Sequence, residues 1–280
     1  HREFYGGEFK WNLHPKWSPY VYVVKNRDKN PKVVDAQSSV AQGAFLVHRY
    51  QPRFVGYGAN GSLVPGLSYF AEFIRVYGTT TSVGDRSDST QVRANAYDVG
   101  LKYRFTSVFQ PALSIEWAFA SGDPDRQSTV NSTLFGNVAG QDNVFRPFGG
   151  LGMGYAAAFT FANMHIMKIG SSAMPFANLS ASRFRTIKIS ADFYDYRKAE
   201  NAGPVSDFDV PSDRFSKRDL GKELNLEGSW RIWTDMSLTV RWGKFMPGGA
   251  YDTVNEVTNQ QTRARATPEI YWRVQWSLDI

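Results

Sequence analysis

Six cations occupy positions from which they can act on a passing anion: Lys102, Arg104, Lys188, Arg231, Arg241 and Arg273. Each sits on the polar side of a segment whose alternate residues are apolar. Fixed cations along a pore lower the barrier to anions. Arginine also grips a carboxylate through two parallel hydrogen bonds. That chemistry is recognition and steering, with no covalent step. The competing reading is structural. Asp98, Glu116, Asp192, Glu223, Glu227, Glu269 and Asp279 share the polar faces, and cross-strand pairing would leave the cations merely stiffening a wall.

Covalent chemistry finds no support. The chain has no cysteine, so disulfides, thiolate metal sites and thiol nucleophiles are excluded. His1, His14, His48 and His165 have no serine or aspartate at a recognisable spacing, and a nucleophile needs a base oriented by a third group. Asp123 and Asp125 fail as an EF-hand, because Ser128 and Leu134 stand where Gly and Glu are required. A solvated turn is the simpler expectation there. Gly152-Met153-Gly154-Tyr155-Ala156-Ala157 fits a loose dinucleotide pattern, but no strand precedes it and no βαβ unit surrounds it. No enzyme, metal or cofactor is expected.

The elements that must position the six cations read at period two. At the C-terminus Ile270, Trp272, Val274, Trp276, Leu278 and Ile280 oppose Glu269, Tyr271, Arg273, Gln275, Ser277 and Asp279. Only an extended chain separates those sets. Met236, Leu238, Val240 and Trp242 oppose Ser237, Thr239, Arg241 and Gly243. The same split recurs around Leu226, Phe193, Ile115 and Leu101. Strands are predicted over 2–11, 18–25, 45–59, 66–77, 92–105, 110–121, 163–176, 184–197, 222–233, 235–246 and 268–280, the 163–176 pattern being the poorest. Their links alternate. Gly61 to Pro65, Thr106 to Phe109 and Trp233 to Asp235 are short, whereas 78–91, 122–162, 198–220 and 247–267 are long and should share one rim.

Strict alternation of short and long links is the mark of a transmembrane barrel. The strands are long enough to cross a bilayer when tilted. Tryptophans and tyrosines near the strand ends suit interfacial girdles. Ionised residues in mid-strand on the opposite face suit a water-filled lumen. The mean hydropathy of −0.39 and the lack of a long apolar run argue against helical spans. A net charge of +6, scattered over 280 residues, forms no basic tail, so nucleic acid is not an expected partner. The fold class is all-β, one antiparallel outer-membrane β-barrel domain over 1–280. The apolar stretch from Phe148 to Met164 is odd for an external loop. It either enters the lumen or lies along the wall.

Several stretches resemble the alginate-export porin family. They are Phe193-Tyr194-Asp195-Tyr196-Arg197, Asp219-Leu220-Gly221-Lys222-Glu223-Leu224-Asn225-Leu226, Gly243-Lys244-Phe245-Met246-Pro247-Gly248, Ala120-Ser121-Gly122-Asp123 with Leu134-Phe135-Gly136, and Pro65-Gly66-Leu67-Ser68-Tyr69 with Glu72. Each is loose, and their order is the specific part. The resemblance implies an outer-membrane barrel of about eighteen strands that exports an acidic polysaccharide. The eleven strands read from the sequence would form its C-terminal part. The expected partners are membrane lipid, lipopolysaccharide, an anionic solute or polysaccharide, and a periplasmic or outer-membrane protein. The first strand is expected to pair with upstream residues, because an open edge is costly in hydrocarbon. The alternative to a channel is a structural barrel that sheathes or anchors another protein.

Overall fold

The computed structural model of the protein describes residues 2–12, 14, 16–29, 50–81, 89–126, 130, 137, 140–180, 182–212, 216–254, 261–263 and 268–278. Among these residues thirteen strands follow in chain order: β1 (Arg2–Lys10), β2 (Ser18–Asp28), β3 (Tyr50–Val64), β4 (Leu67–Thr81), β5 (Ser89–Arg104), β6 (Ala112–Ala120), β7 (Met164–Ala173), β8 (Lys188–Lys198), β9 (Asp219–Arg231), β10 (Met236–Pro247), β11 (Asp252–Val254), β12 (Gln261–Arg263) and β13 (Glu269–Leu278). Eleven of them form one sheet, ordered β1 through β10 and then β13. Every neighbouring pair is antiparallel. The hairpin β11–β12 stands apart in the link before β13.

All eleven predicted strands are present, with shifted ends. The span 45–59 moves to Tyr50–Val64, and its residues 45–49 lie outside the described set. The expected reversal at Gly61 to Pro65 falls later. β3 continues through a bulge between Ser62 and Val64, and the chain turns at Pro65-Gly66. Gly66 adopts φ +84°, and a Cβ there would meet the Arg104 carbonyl oxygen at 2.6 Å. Glycine is the residue that tolerates both conditions. The span 184–197 begins later, at Lys188, because Ser182–Thr186 forms a 3₁₀ turn. Phe184 in that turn stacks on Trp230 at 5.5 Å, and Thr186 Oγ1 donates to the Arg231 carbonyl at 2.7 Å. The link at 78–91 shortens, since β4 runs to Thr81 and β5 starts at Ser89.

The strand ends Lys10, Ser18, Val64, Leu67, Arg104, Ala112, Ala173, Lys188, Arg231 and Met236 lie at one rim, and Asp28, Tyr50, Thr81, Ser89, Ala120, Met164, Lys198, Asp219, Pro247 and Glu269 at the other. The sheet curves around its own loop. Phe148 packs on Phe4 of β1 at 5.9 Å, and Tyr155 packs on Tyr271 of β13 at 5.9 Å. Seven residues reach at most about 25 Å. Eleven flat strands would span roughly 48 Å. The two edges are therefore drawn toward each other around a concave inner face. β1 hydrogen-bonds to β2 and β13 to β10, and the two do not pair with one another.

Candidate pore-lining site

Register sorts the side chains into two faces. Outward lie Val99, Leu101, Ile115, Trp117, Ile169, Leu226, Val240, Trp272, Val274 and Trp276, all exposed. Residues paired directly opposite one another share a face. Lys102 stands opposite Ser68 and Ser114, Lys188 opposite Ser229, and Arg231 opposite Ser237. Arg104 follows Lys102 on the same side, opposite Ala112. Arg241 stands opposite both Glu227 and Arg273. All six cations thus project to the concave side.

They do not form one cluster. Lys102 and Arg104 end β5, Lys188 opens β8 and Arg231 closes β9, so these four gather at the short-turn rim. All four are exposed, and none forms an ion pair with a described carboxylate. Arg231 donates to the Thr234 carbonyl at 2.7 Å. Arg241 lies in mid-strand and is half-buried. Its Nε donates to Glu227 Oε2 at 2.7 Å, and its guanidinium lies 5.7 Å from the Tyr155 ring centre. For Arg241 the structural role is the one observed. Arg273, beside it, is exposed and without an ion pair to a described residue.

The middle of the wall is acidic. Glu72 stands opposite Asp98, and Tyr20 and Tyr22 donate to its two oxygens at 2.5 and 2.7 Å. Lys168 lies between Glu116 at 4.0 Å and Asp192 at 3.9 Å. Its ammonium is 5.3 Å from the Tyr194 ring centre. Sequence reading missed Lys168 because the alternation of β7 is weak. It missed Glu72 as a pore residue because β2 and β4 alternate poorly and the two tyrosines that hold it come from another strand.

The long-loop half of the lumen is occupied by the loop itself. Of the two placements open for the apolar stretch after Phe148, the lumen is the one observed. Glu223, fully buried on β9, accepts from the backbone N–H groups of Ala156 at 2.8 Å and Ala157 at 3.0 Å. With its nitrogen turned inward, the Asn225 amide donates to Glu223 Oε1 at 2.7 Å and accepts from Tyr155 N at 3.2 Å. Gly154 N donates to the Tyr196 hydroxyl at 3.0 Å, and a Cβ at Gly154 would lie 2.3 Å from the Glu223 carboxylate. A carboxylate held by successive backbone N–H groups is an anion nest occupied by the protein's own side chain. The glycine pattern that loosely suggested a dinucleotide site serves this close approach instead.

A second anchor fixes the start of the loop. Asp142 accepts from Arg126 at 3.1 Å and Arg146 at 3.5 Å, with Arg126 fully buried. Burial, with Arg146 alongside, pushes the Arg126 guanidinium down to about 10. Asp123 is not the solvated turn expected from sequence. It is 1 % exposed and accepts from Asp125 N at 2.9 Å and Asn143 N at 2.7 Å. Burial raises its carboxyl above the ordinary value despite those two bonds. Both oxygens are already used by the backbone. Among the described residues no group of acids or histidines is arranged to hold a metal ion.

Residues 1–265 match the alginate export family. The chain belongs to that family. Its setting is the outer membrane of a Gram-negative bacterium, and the all-β antiparallel barrel architecture agrees with membership. No curated protein matches the chain in sequence. Among solved structures it is similar to Pseudomonas aeruginosa OccK11 (OpdR), with TM-score 0.49, 10 % identity, 98 % of this chain and 56 % of that chain covered. It is also similar to the ferric enterobactin receptor PfeA in complex with BCV-L6, with TM-score 0.45 and 11 % identity over 89 % of this chain and 34 % of the receptor. A mutant of that receptor from Pseudomonas aeruginosa gives TM-score 0.43 and 11 % identity over 91 % and 34 %. The chain therefore spans about half the length of the first and about a third of the receptor.

Proposed function

We propose that the chain builds part of the wall of a passive outer-membrane channel for an anionic solute or acidic polysaccharide, within a single barrel domain of about eighteen strands. The observation that carries this reading is that Lys102, Arg104, Lys188 and Arg231 project from the concave face at the short-turn rim and pair with no described carboxylate. A mouth lined by one sign of charge raises the local concentration of the opposite ion. Short turns are the periplasmic ones in such barrels, so the cations stand where an exported anion enters. At the waist Lys168 stands between Glu116 and Asp192 and offsets part of their charge, which lowers the barrier the carboxylates present to an anion. The self-filled upper lumen leaves less room for a sheathed partner protein, which favours the channel over the sheath.

The test is the reversal potential of the full-length protein in a planar bilayer under a salt gradient. Replacing Lys102, Arg104, Lys188 and Arg231 by Gln is expected to lower the anion-to-cation permeability ratio about threefold or more at low salt, and less at high salt where screening takes over. An unchanged ratio at low salt would remove the cations from the path.

A further inference from the structure

The outward face carries its own cations, and on one side they form no ion pair with a described residue. Lys25 of β2 stands directly opposite Arg53 of β3, Arg53 opposite Tyr77 of β4, and Tyr77 opposite Arg93 of β5. One step nearer the short turns, Arg75 stands opposite Val55 and Asn95. These positions share the face of the exposed Val21, Val23, Tyr57 and Val99. The patch begins where the apolar band ends. On β4 the outward order is Tyr69, Ala71, Phe73 and then Arg75 and Tyr77. On β5 it is Leu101, Val99, Tyr97, Asn95 and then Arg93. The patch thus lies beyond the apolar band on the long-loop side, which is the extracellular side in such barrels.

Four cations on four adjacent strands, about 5 Å apart per strand, repel one another unless an anion joins them. Lys25, Arg53 and Arg93 are exposed, and none of the four forms an ion pair with a described residue. Arg75 Nε is buried without a hydrogen-bond partner, while its guanidinium lies 5.7 Å from the Tyr77 ring centre. The opposite side of the wall differs. There the outward Arg197 is paired with Asp195 at 2.8 Å, and Lys222 stands directly opposite that same aspartate. Among the described residues the protein thus supplies a counter-charge on β8–β9 and none on β2–β5.

We propose that Lys25, Arg53, Arg75 and Arg93 form a binding site for the phosphates of an outer-leaflet glycolipid, the lipid A part of lipopolysaccharide. The apolar band below takes the acyl chains, and the guanidinium groups take phosphate oxygens in pairs, as arginine does. This site lies on the outside of the wall and is independent of what passes through the lumen.

The test counts lipid A molecules retained by the full-length protein after detergent exchange, using native mass spectrometry. The probes are bisphosphorylated lipid A, dephosphorylated lipid A and inorganic phosphate. The variant with Lys25→Gln, Arg53→Gln, Arg75→Gln and Arg93→Gln is expected to retain bisphosphorylated lipid A about tenfold less than the parent. Dephosphorylated lipid A is expected to show no difference, and inorganic phosphate at equal concentration is expected not to displace the lipid. Lys10→Gln with Lys16→Gln, at the other rim, is expected to retain lipid A as the parent does. Equal retention by parent and quadruple variant overturns the site. So does equal binding of the dephosphorylated lipid by the parent, displacement by inorganic phosphate, or an equal loss in the Lys10 and Lys16 variant. If the quadruple variant does not insert, Arg53→Gln and Arg93→Gln decide singly. Each is expected to lower retention about threefold, and no change in both overturns the proposal.

Discussion

The two ends of the same strands behave as different materials. On the long-loop side the inner wall is dry. Val76, Ala94, Ala96, Ala120, Met164, Ile166, Tyr196, Leu220 and Phe245 are buried there against Phe145, Phe159 and Phe161 of the inserted loop. On the short-turn side the inner wall is wet, and Lys102, Arg104, Lys188 and Arg231 are exposed. Alternation along a strand makes no such distinction, since it separates in from out and nothing more. The inserted loop makes it. Its backbone N–H groups are satisfied by Glu223 on β9 and its buried arginines are held by its own Asp142, so the upper lumen behaves as a protein core and the lower as a vestibule.

The comparison breaks most decisively at Asp142. Asp142→Ala removes the carboxylate that the buried Arg126 and Arg146 share inside the packed half, which costs about 3–5 kcal/mol. Urea titration of the full-length protein in vesicles should show that loss, with the segment after residue 122 cut first by added protease. Intact protection of the loop would detach the buried ion pair from the packing. A substitution on the lipid side is the next largest. Val274→Arg or Trp272→Arg places a charge in hydrocarbon beside Arg273, which is tolerated only because it faces the lumen. The expected cost is about 2–4 kcal/mol near mid-membrane. Normal insertion of both variants in a bilayer refolding assay would reverse the assigned faces. The smallest effect is at the nest. Glu223→Gln turns an amide NH₂ toward the backbone N–H of Ala156 or Ala157 and loses one acceptor, about 1–3 kcal/mol. Raised single-channel conductance should accompany it as the loop loosens. Equal conductance would mean that the loop does not constrict the path.

How far the sequence could be read depended on which contacts each residue makes. Lys102, Arg104, Lys188, Arg231, Arg241 and Arg273 were legible as inward-facing because their own neighbours alternate cleanly. That Arg241 is neutralised by Glu227, whereas Arg231 is not, follows from register between β9 and β10. Lys168 and Glu72 stayed hidden because a carboxylate or ammonium on a poorly alternating strand has no signature apart from its cross-strand partners. The cation row on β2–β5 was equally invisible. Lys25, Arg53, Arg75 and Arg93 are far apart in the chain and meet only through pairing.

By itself the sequence determined the strands, their two faces, the alternation of short and long links, and hence a membrane barrel. Those properties follow from a local period of two and from the absence of water in the bilayer, and neither needs knowledge of distant contacts. Only the tertiary structure decided that the stretch after Phe148 enters the lumen. Only it decided which cations pair with described carboxylates, and that Lys25, Arg53, Arg75 and Arg93 line up across β2–β5 on the outward face. The reason is that hydrogen bonds and ion pairs across a sheet join residues by register, and register is set by the whole set of pairings rather than by any one segment.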